Sequence, residues 1–134
     1  MEKRIKEKIE VIVDRVEFIK ENISEEFISN RILKKAIYKE FQEAVEAAMD
    51  ICAMLRRKLN SSAQDDYSNI DYLHEKGVIN SELKDKLKEA NGLRNRLIHG
   101  YDRLEDEIAC KSIKNLLDCL LKFSEVILDW ISKY

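Results

Sequence analysis

The stretch IKEKIEVIVDRVEFIKENI, residues 5–23, sets the reading of the fold. Ile5, Ile9, Ile12, Val16, Ile19 and Ile23 step by four and three, so one side of a 3.6-residue helix is apolar while the other carries Lys and Glu. A helix patterned this way must bury its stripe against other helices. The rest of the chain supplies them. Ser24 and Asn30 are both capable N-caps, and beyond them a second pattern runs from about residue 32 to residue 59. Its stripe is Ile37, Phe41, Ala44, Ala48, Ile51, Cys52, Leu55 and Leu59, and the alanines let a neighbouring helix come close.

Residues 60–66, NSSAQDD, are polar and aperiodic and read as a loop. A short helix over about 67–76 ends at Gly77, well placed as a C-terminal cap. Asn80 or Ser81 starts the next helix, with Leu83, Leu87, Ala90 and Leu97 inward. A last long helix from about Asp106 carries Ile113, Leu116, Leu117, Leu120, Ile127 and Ile131 on one face. No internal repeat or low-complexity tract interrupts the series. The expectation is an all-α antiparallel bundle, three long helices plus a shorter pair, forming one domain over residues 1–134.

Composition agrees. There is no proline and there are three glycines, few breakers for a chain of 134 residues. Hydrophobic residues at 45% and charged residues at 37% describe a folded chain, and its length suffices for a core without staples. A net charge of −2 excludes the global basic footprint of a dedicated nucleic-acid binder, so any contact with RNA must be local. Cys52, Cys110 and Cys119 are odd in number and form no C-x-x-C pair; they read as reduced, buried thiols. MEKRIKEKIE at the N-terminus is charged from its second residue, unlike a secretory signal. No apolar run approaches the roughly 20 residues of a membrane span. A soluble, cytoplasmic protein is expected.

One stretch does not fit a scaffold of Lys, Glu and Leu. RNRLIHGYD, residues 94–102, concentrates two arginines, an asparagine, a histidine, a tyrosine and an aspartate. If the helix continues through it, Asn95, His99 and Asp102 share one face, and Arg94, Ile98 and Tyr101 the adjacent one. Gly100 leaves room for a close approach beside His99. Imidazole and guanidinium together suit phosphoryl chemistry. Histidine gains and loses a proton near neutral pH, and arginine offers planar, permanently charged donors to a phosphate. On RNA the 2′-hydroxyl is an internal nucleophile, so neither a protein nucleophile nor a metal is required in principle.

Residues 94–101, RNRLIHGY, resemble the R-x4-H-x-Y signature of the HepT toxins, a branch of the HEPN superfamily. The polar residue after the arginine, Asn95, and Tyr-Asp after the histidine belong to the same resemblance, as does the order of helices over nearly the whole chain. It implies a homodimeric bundle in which two copies of the motif meet across a two-fold axis. It implies a metal-independent endoribonuclease leaving a 2′,3′-cyclic phosphate and a 5′-hydroxyl, the toxin of a type VII toxin–antitoxin system. By the same resemblance Arg94 and His99 are catalytic, and Asn95 and Asp102 are supporting polar groups. Arg96 and Arg103 would contact RNA, whether transfer or messenger. Tyr101 would accept AMP from a nucleotidyltransferase antitoxin of the MntA kind. The chain itself would use no cofactor; ATP would belong to the partner.

Other residues admit other readings. Asp71 and His74 have the i, i+3 spacing of carboxylate-bridged metal bundles, but the further inward Glu residues and a Glu-x-x-His repeat are missing, and His74 reads as a surface residue. Arg56, Arg57 and Lys58 could meet RNA phosphates or simply complement the end of their helix. Tyr67 and Tyr72 either stack on bases or seal the bundle over the loop, and Phe123 and Trp130 read as core or dimer interface. The competing class for the whole protein is a HEPN module that binds a nucleotide or a nucleotidyltransferase without cleaving RNA.

Overall fold

The computed structural model describes residues 1–100 and 105–134. Five α-helices follow one another: α1 (Glu2–Asn22), α2 (Arg31–Lys58), α3 (Asp66–Glu75), α4 (Ser81–His99) and α5 (Asp106–Lys133). Among the described residues there is no strand. The fold is the expected all-α bundle, with α1, α2 and α5 as the long members and α3 and α4 as the shorter pair. Helix α1 packs on α2 and α5, and α4 lies against α5, α2 and α3.

The stripe of α1 is the inner face: Ile5, Ile9, Ile12, Val16 and Ile19 are all buried, while Ile23 is half-buried at the helix end. On α2 the small residues Ala44, Ala47 and Ala48 are buried beside Phe41, Ile51 and Leu55, which brings the neighbouring backbones close. Helix α5 contributes Ile113, Leu116, Leu120, Phe123 and Ile127. All three cysteines are buried. Burial pushes the Cys119 thiol up to about 12 and the Cys52 thiol higher still, so neither is poised for thiolate chemistry.

The helix ends follow local chemistry. Asn30 caps α2 by accepting from the backbone N–H of Leu33 at 3.0 Å, and Asn80 caps α4 through Leu83 at 2.8 Å. Ser24 caps no α-helix; it precedes a 3-10 turn, Glu25–Ser29, that tucks Phe27 into the core. Five residues are too few to show a helical stripe, so periodicity does not reveal this turn.

Gly100 adopts φ +61° and ends α4 at His99. Tyr101, Asp102 and Arg103 lie outside the described residues.

Candidate active site

Arg94 is closely held. Its Nη2 donates to Asn91 Oδ1 at 2.7 Å and to Asp66 Oδ2 at 2.9 Å, and its Nη1 lies 3.7 Å from Glu46 Oε1. Three elements meet on this one guanidinium. Asn91 stands one turn back on α4 and is 1% exposed. Glu46 comes from the alanine-lined part of α2, and Asp66 from the first turn of α3.

Helix α3 is fixed in turn by its own start. Asp65 caps it, accepting from the backbone N–H of Ser68 at 2.8 Å, and this bond holds the Asp65 carboxyl below the ordinary range. One turn on, buried Asn69 pairs with the backbone of Gln64 through both its amide atoms, at 2.8 and 3.0 Å. Arg56 completes the joint. It donates to Ser61 Oγ at 3.1 Å and Asn69 Oδ1 at 3.3 Å, and its guanidinium lies 4.6 Å from the centroid of the Tyr72 ring.

Arg56 is thus a buried clamp between α2 and the loop before α3, and it is not available to RNA phosphates. Of that basic trio Arg57 is exposed, and Lys58 lies 5.7 Å from the centroid of the Trp130 ring. Tyr72 seals the loop, its hydroxyl donating to the Leu59 carbonyl at 3.4 Å. Tyr67 is 41% exposed. Phe123 is core, and Trp130 is half-buried and stacked on Tyr134.

His99 ends α4 and is exposed, as is Arg96; Asn95 is half-buried. Five residues of α-helix separate Arg94 from His99, a turn of about 140°, so the two point to different sides of α4. The guanidinium faces inward to α2 and α3, and the imidazole stands at the tip. Beyond the break, Asp106 opens α5 and accepts from Tyr38 Oη at 2.5 Å and Lys34 Nζ at 3.1 Å. Partial burial disfavours its charge, but the two donors win and hold the carboxyl below its usual range. Tyr38, half-buried against that carboxylate, is pushed well up. This junction ties the start of α5 to α2, seven residues after His99.

Asp71 and His74 do not form a shared site. Asp71 pairs with Lys88 at 2.6 Å, and His74 Nε2 lies 3.1 Å from Ser81 Oγ. Among the described residues no group of three or more His, Cys, Asp or Glu is arranged to hold a metal, and no helix is long and apolar enough to cross a membrane.

Sequence reasoning singled out Arg94 and His99 but not Asp66, Glu46 and Asn91, which the structure places around Arg94. Asn91 at i−3 from Arg94 was legible as a helical neighbour. Asp66 and Glu46 reach Arg94 only through packing.

The chain is similar to known proteins in sequence and in fold. The ribonuclease HepT-like family matches residues 5–127. A protein of Archaeoglobus fulgidus provisionally named an RNase is 37% identical over 123 residues, 90% of this chain and 93% of its own. A second from the same organism, named likewise, is 36% identical over 103 residues, 77% of this chain and 75% of its own. Among solved structures, a tri-AMPylated HEPN toxin of Shewanella oneidensis in complex with an MNT antitoxin superposes with a TM-score of 0.89. It is 25% identical and covers 96% of this chain and 99% of its own. A toxin–antitoxin complex with AMP-PNP superposes at 0.88 with 25% identity, over 95% of this chain and 99% of that one. The chain belongs to the ribonuclease HepT-like family and has the fold of the HEPN toxins.

Proposed function

We propose that this protein is the toxin of a toxin–antitoxin pair and cuts RNA without a metal, using Arg94 and His99. The observation that carries this reading is the seating of Arg94. A guanidinium fixed from three elements, on the helix that ends in His99, is a preorganised donor for a phosphate. The 2′-oxygen of a ribose attacks the adjacent phosphorus while the bond from phosphorus to the 5′-oxygen breaks. One imidazole accepts the 2′-hydroxyl proton and another protonates the departing 5′-oxygen, leaving a 2′,3′-cyclic phosphate and a 5′-hydroxyl. Arg94 opposes the charge that grows on the phosphoryl oxygens.

One chain supplies one motif histidine, on a different side of α4 from Arg94. A second copy resolves both difficulties, so the working form is a homodimer with its motifs facing. The aliphatic side chains exposed at the ends of the helices flanking the motif, Ile98 at 47% and Ile108 at 52%, are the surface such a dimer would cover.

Control falls to a nucleotidyltransferase antitoxin. The Shewanella oneidensis toxin is tri-AMPylated and bound to an MNT antitoxin; by the same chemistry Tyr101 here would accept AMP on its phenol. The added phosphates and adenosine would place negative charge and bulk beside the catalytic groups. Asn95, Asp102, Arg96 and Arg103 are proposed as supporting or RNA-contacting residues. Intact mass of the protein co-expressed with a nucleotidyltransferase antitoxin of the MNT kind tests the modification. The wild type should gain one or more AMP increments and Tyr101→Phe none; an equal gain in both would place control elsewhere.

A further inference from the structure

The three oxygen acceptors around Arg94 are not equivalent. Asn91 and Asp66 both grip Nη2, at 2.7 and 2.9 Å. Glu46 stands off at 3.7 Å from Nη1, and its side chain is 46% exposed where that of Arg94 is 12% exposed. A half-exposed carboxylate on a loose contact is solvated and weakly held, so it can swing away at little cost. The paired edge is different: an amide buried to 1% and a carboxylate at hydrogen-bond distance fix both the position and the tilt of the guanidinium plane.

We infer that Asp66 and Asn91 are positioning residues that lock Arg94 by Nη2, while Glu46 is a stand-in anion that the RNA phosphate displaces from Nη1. This deepens the reading above and rests on it. It also divides the cluster into residues with opposite effects. Loss of Asp66 frees the guanidinium to rotate out of line with the developing charge, which lowers turnover more than affinity. Loss of the Glu46 charge removes a competitor for the phosphate, which tightens binding.

The experiment uses the full-length toxin and a fluorescein-labelled single-stranded RNA, with a 2′-O-methyl copy of the same RNA to read the Kd without cleavage. Asp66→Ala should lower kcat about 10- to 100-fold with KM and Kd little moved and the helical circular dichroism retained. Asp66→Asn, which keeps an oxygen for Nη2, should recover most of the loss. Glu46→Gln should lower the Kd severalfold. If Asp66→Asn is as inactive as Asp66→Ala, Asp66 handles a proton and the positioning role is overturned. Full-speed cleavage by Asp66→Ala beside an inactive Arg94→Ala overturns the inference alone. Full-speed cleavage by Arg94→Ala removes the catalytic reading and the positioning role with it. Unchanged or weaker binding by Glu46→Gln contradicts the stand-in.

Discussion

Arg94 and His99 belong to one motif but differ in how much of the fold depends on them. Replacing Arg94 by alanine removes the partner of a buried amide, Asn91, and leaves two carboxylates facing each other's region without their cation. The expected cost is about 1–3 kcal/mol, the range for stranding a buried polar group, seen as a drop of several degrees in Tm together with loss of cleavage. His99→Ala changes an exposed residue in the last turn of α4, so its Tm should move less than that of Arg94→Ala while cleavage is lost. Differential scanning fluorimetry of the two variants separates these outcomes. Gly100 holds φ +61°, and Gly100→Ala should cost about 1 kcal/mol for putting a side chain in the left-handed region. The motif residues themselves were legible, because arginine, asparagine and histidine have no reason to crowd an ordinary helix. The partner of Arg94 was not: 28 residues separate Asp66 from it, and no spacing rule connects them.

Among the elements, helices with a long apolar period were readable to within a residue or so. Helix α2 was expected over 32–59 and runs Arg31–Lys58. What could not be read were the joints, since a joint is made by single polar contacts between segments far apart in sequence. Tyr38, Lys34 and Asp106 form one such joint, across 68 and 72 residues. Its pH dependence has a definite sign. The Asp106 carboxyl is lowered in the folded state, so its contribution is present above the ordinary carboxyl range, about 4, and is lost as pH falls through the folded value. Asp106→Asn should therefore lower Tm at pH 7, and the gap from the wild type should close below about pH 4. A gap that widens on acidification would show that the carboxylate is not stabilised by its two donors. The joint at Arg56 is similar in kind. A cation at the end of a helix invited a surface reading, and only the placement of Asn69 and Tyr72 reveals that it is enclosed.

At the scale of the whole molecule, the all-α class followed from proline-free, glycine-poor composition and from stripes that each demanded a neighbour. The bundle brings α2, α3 and α4 together on Arg94 and leaves His99 at an exposed tip. A second copy is proposed to complete the site, and Ile98→Glu together with Ile108→Glu should shift the protein from dimer to monomer in light scattering and abolish cleavage. A double variant that stays dimeric would put the interface on another face. The central claim, RNA cleavage by these residues without a metal, is tested most directly by incubating antitoxin-free protein with RNA in excess EDTA, wild type beside His99→Ala, and analysing the 3′ ends. The account predicts cleavage by the wild type with 2′,3′-cyclic phosphate ends and none by His99→Ala. Equal cleavage by both proteins, or wild-type cleavage that stops on chelation and returns with a divalent ion, would contradict it.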